Sequence, residues 1–234
     1  MNKMTCIKAP LLPLPNVVFF PKTALPLYVD TPSYSRMIRD CAIKGLPVVI
    51  CMADVLELPN AEQGFSMQYL RPAIIGTLGV PYILEEYPGG ALKVLVKGLT
   101  RIRLLSAVQN LPYPIYDIEI LTEPTCDISH LDGQLTHINN ILEAWVGLNV
   151  ANYEEREAFL NSLATTQHIT NYVSMLLIRD AGIRQTLLET NSLLDRIHLL
   201  AALLRDGIPL KEDREVVGAI KKFETLERLA RTAN

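Results

Sequence analysis

The chain has 234 residues, 49% of them apolar and 20% charged, with a formal net charge of −3. That length holds one large domain or two small ones, and that apolar share excludes global disorder. The mild acidity excludes bulk nucleic-acid binding, which needs a basic footprint, and no run of like charge marks a membrane-binding face.

Residues 1–9 read as a frayed lead. The opening run is broken by Pro10, Pro13, Pro15 and Pro21 and has no continuous apolar core, so it is not a secretory leader. Leu11 to Phe20 reads as extended chain, because Pro13 and Pro15 cannot sit inside a helix. Leu25 to Val29 reads as a second strand. Thr31-Pro32 is a helix start, and Tyr34, Met37, Ile38 and Cys41 form one apolar stripe up to Gly45, a left-handed stop. Pro47 to Met52 is a short apolar run that suits a buried strand. Asp54 to Tyr69 is the least legible part of the front half, and within it Pro59, Asn60 and Gly64 mark a loop.

Ile74 to Leu105 reads as three strands. The first ends in the turn residues Pro88-Gly89-Gly90. The second, Leu92 to Val96, sets Leu92, Val94 and Val96 on one face. After Gly98, Thr100 to Leu105 alternates Arg101 and Arg103 with Ile102 and Leu104. Arg101 and Arg103 read as a wetted strand face; the alternative is a polar contact with a bound chain or with the helical half. Gly76 and Gly79 read as bulge or close-packing positions. Tyr116, Ile118 and Ile120 give one more strand. The front half is thus about six strands and one helix, a twisted sheet closed on itself.

Beyond Glu123-Pro124-Thr125 the hydrophobic period changes from 2 to 3.6. Leu131, Leu135, Ile138, Leu142 and Trp145 mark a helix. Asn152 and Glu155 open another. Ile169, Tyr172, Val173 and Leu176 mark a third, stopped at Gly182. Arg184 to Glu189 is a short fourth, and Ser192 with Asp195 opens a fifth through Leu204. A last helix, about Lys211 to Thr232, carries the apolar stripe Val216, Ile220, Phe223 and Leu226. A helix of this length is marginal alone in water, so the stripe must be buried, against its own bundle, a second copy in a homodimer, or a partner helix.

Catalytic constellations are missing from the sequence. There is no phosphate-binding G-x-x-x-x-G-K-[ST], no G-x-S-x-G and no H-E-x-x-H. Asp195 and His198 have ligand spacing without a third ligand, and Glu85-Glu86 and Glu154-Glu155 read as solvated acids. No cofactor or metal is expected. Cys6, Cys41, Cys51 and Cys126 lack metal or redox spacing, so reduced thiols and a cytoplasmic location are expected. No apolar stretch approaches the ~20 residues of a membrane helix.

Three motifs occur in order: Leu11 to Val29, then Gly76-Thr77 with the Pro88-Gly89-Gly90 turn and the run Leu92 to Leu105, then Arg184 to Leu204. Together they resemble the N-terminal, substrate-binding domain of Lon protease. The resemblance implies an α+β fold, a β-rich, barrel-like (PUA-like) subdomain over residues 1–123 followed by a helical bundle over residues 124–234. It implies a stand-alone form without the ATPase and protease domains, and hence a non-catalytic module, adaptor or chaperone-like, that binds unfolded or exposed hydrophobic polypeptide segments. Tyr34 and Met37 on the first helix, with Tyr82 and Leu84 on the central strand, are the candidate polypeptide-binding residues, because Met and Tyr suit adaptable recognition surfaces; the alternative for them is core packing. The binding mechanism expected is an apolar groove between the two halves. The alternative is an enzyme or small-molecule-binding protein with an unrecognised site.

Overall fold

The computed structural model describes residues 7–59 and 66–205. Its front part holds β1 (Ile7–Pro15), β2 (Ala24–Val29), α1 (Pro32–Lys44), β3 (Val48–Pro59), β4 (Ser66–Pro72), β5 (Ile75–Glu86), β6 (Leu92–Gln109) and β7 (Ile115–Ile120). A single 3-10 turn at Ser129–Leu131 leads into α2 (Asp132–Asn149), α3 (Tyr153–Ser162), α4 (Thr166–Leu176), α5 (Ala181–Glu189) and α6 (Leu193–Leu204). The fold is α+β, as expected.

Five of the strands close into a ring. β1 runs parallel to β3, from Leu11 opposite Val49 to Pro15 opposite Ala53. On its other side β1 pairs antiparallel with β7. The circuit is completed by antiparallel pairs of β3 with β5, β5 with β6, and β6 with β7. β2 and β4 stand outside the ring, on the first part of β6 and the far part of β3. Closure leaves few free edges, and Pro26 on β2 blunts one that remains.

The ring sorts alternate residues into two cores. Leu11, Val49, Cys51, Ile102 and Ile118 fill the barrel interior. Their neighbours Leu12 and Ile50 point outward into a larger core, with Val94 and Val96, Met37 and Cys41 of α1, and Leu142, Trp145, Val173 and Leu200 of the helices. This cluster runs from the sheet into the helical part without interruption. Full burial of each such side chain contributes about 1.5–3 kcal/mol.

Three departures from the sequence expectations have local causes. Ile7 to Ala9 are paired with β7 rather than frayed. Asp54 to Tyr69 contains a β3–β4 hairpin, with Asp54 opposite Arg71 and Leu56 opposite Tyr69; Asp54, Val55 and Glu57 are all exposed, so no burial pattern announces it. β6 is one strand of 18 residues, not two. Gly98 does not break it. The register moves from Gly79 opposite Gly98 to Leu78 opposite Thr100, so Leu99 is extruded as a bulge. Before the bulge Leu92, Val94 and Val96 face the large core; after it Ile102 and Leu104 face the barrel interior. Gly98 is needed there because a Cβ would lie 2.5 Å from the Phe20 carbonyl oxygen.

The helix ends follow local chemistry. Pro32 opens α1, though Thr31 makes no side-chain cap bond. Gly45 closes it at φ 63°, and Leu46 N–H donates to Cys41 O at 2.9 Å. Asn152 accepts from the amides of Glu154 and Glu155, Thr165 from His168, and Ser192 from Asp195. Gly182 does not stop a helix: α4 has already ended at Leu176, and Gly182 lies in the first turn of α5, where Asp180 accepts from the Ile183 amide.

Candidate polypeptide-binding surface

The side of the sheet that lines the barrel interior continues past the barrel's end and becomes a surface. There Leu95 of β6 stands between Pro26 of β2 and Tyr82 of β5, and Lys93 stands between Tyr28 and Glu85. Leu95 is buried although it belongs to neither core, while Tyr82 is 43% and Tyr28 64% exposed. The Tyr28 ring meets that of Tyr87 at 5.7 Å in a tilted contact. Tyr87 hydroxyl donates to Glu85 Oε2 at 2.9 Å, and this bond holds its phenol above the usual range. The hairpin turn beside it needs positive φ at Gly89 and Gly90, 90° and 89°. Arg39 of α1 ties the turn down by donating to Gly90 O at 3.0 Å. The result is a surface of tyrosines with Lys93 and Glu85 among them, and aromatic side chains are enriched at protein interfaces.

The four residues singled out in the sequence do not share one patch. Tyr82 is part of the surface just described, and Leu84 is half-buried at a bulge beside it. Tyr34, Met37 and Ile83 belong to the large core, on the opposite side of β5. Met37 is 0% exposed, and burial raises the Tyr34 phenol above its ordinary pKa. Tyr28 and Tyr87 escaped the sequence reading, because strand register sets Tyr28 on the same face as Tyr82 and the turn sets Tyr87 against Tyr28. Val216, Ile220, Phe223 and Leu226 lie outside the described residues.

Polar staples tie the sheet to the helices. Arg101, 4% exposed, donates to Leu188 O, Thr190 O and both Asn191 oxygens at 2.8–3.1 Å. Arg101 therefore follows the alternative reading, contact with the helical half, while Arg103 stays exposed in an ion pair with Glu119. Burial and the nearby Arg196 lower the Arg101 guanidinium pKa. Asn171 donates to Pro21 O and Gln185 to Ile75 O. Arg196, 1% exposed, reaches Leu187 O, Asn171 Oδ1 and Glu123 Oε1. Its one signal in the sequence is an arginine placed beside Ile197 and Leu200 on an apolar stripe.

Gly76 and Gly79 are close-packing positions: a Cβ would come within 2.3 Å of Cys51 Sγ and 2.7 Å of Val96 Cγ1 respectively. Among the described residues, no three His, Cys, Asp or Glu side chains gather as a metal site would require, and no helix is long and apolar enough to cross a membrane.

A closed barrel stapled to a helical bundle, with an exposed aromatic surface on the sheet, has the features of a recognition module. Residues 8–206 match the family described as the ATP-dependent protease La (LON) substrate-binding domain, and the chain belongs to that family. It is 22% identical over 223 residues to the Lon protease of Dictyoglomus thermophilum and 24% identical over 217 residues to that of Escherichia coli K12. Each alignment covers 92% of this chain and 27% of the relative, so the chain spans about a quarter of their length. Two solved structures share the fold. The Lon N-terminal domain protein from Xanthomonas campestris has a TM-score of 0.57 at 18% identity, covering 84% of this chain and 98% of that one. The N-terminal domain of the Mycobacterium avium complex Lon protease has a TM-score of 0.60 at 16% identity, covering 86% and 99%.

Proposed function

We propose that this chain binds exposed apolar segments of other polypeptides without catalysing any change in them, as an adaptor or chaperone-like factor. The observation that carries the reading is the family match over residues 8–206 to a substrate-binding domain. The surface around Tyr28, Tyr82 and Leu84 is the proposed contact, with Met37 holding α1 behind the sheet. Aromatic side chains with few rotamers lose little entropy on binding, and each anchor can supply a large share of the affinity.

The test is fluorescence anisotropy of labelled apolar peptides and of denatured model proteins with the purified chain. Saturable binding that weakens by about tenfold in Tyr82→Ser or Tyr28→Ser supports the reading. Absence of binding at tens of micromolar overturns it. A second copy is proposed to bury the stripe Val216, Ile220, Phe223 and Leu226, and a cytoplasmic site is proposed from the reduced thiols. Deleting residues from Lys211 onward and measuring mass in solution tests the first of these.

A further inference from the structure

Two separate devices bring Tyr28 and Tyr87 together. Strand β2 sets Tyr28 opposite Lys93 of β6 and leaves its ring exposed. Tyr87 sits where β5 turns into β6: its N–H donates to Ala91 O at 2.9 Å, and its carbonyl accepts from the Gly90 N–H at 3.0 Å. Arg39 fastens the same turn to α1, reaching Gly90 O and Glu86 Oε2. Backbone pairing thus holds both rings in place, with centroids 5.7 Å apart and planes at 59°. Centroid separations of about 4.5–7 Å are those of aromatic rings in contact.

One of the two phenols also has a base on it. The Tyr87 hydroxyl donates to Glu85 Oε2 at 2.9 Å. A phenol gives up an electron more readily when a positioned base takes its proton in the same step. The radical left behind is spread onto the ring carbons beside the one that bears oxygen. Two such radicals held in contact join at those carbons faster than either finds another partner.

We infer that Tyr28 and Tyr87 are a site of oxidative cross-linking, which a haem peroxidase with hydrogen peroxide converts to dityrosine. The peroxidase takes one electron from each phenol. One proton leaves through Glu85 and the other to water. A carbon–carbon bond forms between the two rings, and the hydrogens on the joined carbons move to the oxygens, restoring both phenols. One hydrogen peroxide accepts the two electrons and two protons and becomes two waters. The product ties β2 covalently to the β5–β6 turn. This inference does not depend on the polypeptide-binding reading above.

The test treats the whole chain, at low concentration, with a haem peroxidase and limiting hydrogen peroxide. The monomer is then isolated, its dityrosine fluorescence read and its linked peptides sequenced by mass spectrometry. The expected monomer carries one link, between Tyr28 and Tyr87, and is lighter by two hydrogens. Tyr28→Phe and Tyr87→Phe each lose the monomer fluorescence, while Tyr153→Phe, at an exposed tyrosine on α3, keeps it. Glu85→Gln slows the first phase of the reaction severalfold, because the base is gone. Circular dichroism confirms that these variants keep the parent fold. Links that join other tyrosines, fluorescence found in oligomers alone, or fluorescence that survives both Tyr28→Phe and Tyr87→Phe overturns the site. An unchanged rate in Glu85→Gln overturns the proton route through that carboxylate.

Discussion

Arg196 Nη2 lies 2.6 Å from Glu123 Oε1, so a guanidinium rooted on α6 reaches back to the segment that leaves the barrel. The arginine side chain is 2% exposed and the glutamate 18%. Removing one partner of such a pair strands the other charge. Glu123→Ala is expected to lower stability by about 2–4 kcal/mol in urea unfolding. The double change Glu123→Leu with Arg196→Leu is expected to recover part of that loss, because it removes both charges together.

Arg101 makes a different kind of staple, with four bonds to oxygens at the end of α5 and just beyond it. Lysine keeps the charge but has no planar fork. Arg101→Lys is expected to cost about 1.5–3 kcal/mol. Hydrogen exchange checks the location of the effect: amides of α5 should lose protection before those of the barrel strands.

Two glycines give opposite predictions for the same substitution. At Gly76 a Cβ would lie 2.6 Å from the Ile50 carbonyl oxygen and nearer still to Cys51 Sγ, so Gly76→Ala is expected to destabilise by about 1–3 kcal/mol. At Gly147, inside α2, a Cβ meets nothing within 4 Å. Gly147→Ala is expected to stabilise by about 0.5–1 kcal/mol through helix propensity. Melting curves of the two variants should therefore move apart from the parent in opposite directions.

Cys41 and Cys51 are each 1% exposed. Burial pushes the Cys51 thiol up to about 12, and burial with the Asp40 charge pushes Cys41 up to about 11. Both should resist alkylation at pH 8 in the folded chain and react once it is unfolded. The linkage has a definite sign. Below the ordinary thiol value of 9.0 both states are protonated and stability is unaffected by these groups. Above it the unfolded chain ionises first, so stability falls as pH rises from 9 towards 12. Denaturant midpoints measured at pH 8 and pH 10 should show that fall, and Cys51→Ala should reduce it.

What was legible in the sequence was mostly what is local. The stop at Gly45 and the caps at Asn152 and Ser192 depend on a few neighbouring residues, and each occurs where its chemistry placed it. The alternation of Leu92, Val94 and Val96 likewise reported a buried face. The bulge at Leu99 was not legible, since Gly98 reads equally as an end or as a close approach to Phe20. Arg101 and Arg103 have the same spacing and residue type, yet only the first is covered by the asparagine after α5. Tyr28 and Tyr82 are far apart in the chain, and their place on one face follows from pairing each strand with β6. The proposed surface shares Tyr82 and Leu84 with the sequence reading, and its other members follow from register and not from spacing.

β1 completes the barrel by lying between β3 and β7, and β7 is the last of the barrel strands in the chain. During synthesis β1 must therefore wait, with one flank bare, until every other wall of the barrel exists. Pro10, Pro13 and Pro15 lack the N–H that a stray strand would pair with, so they blunt that bare flank while it waits.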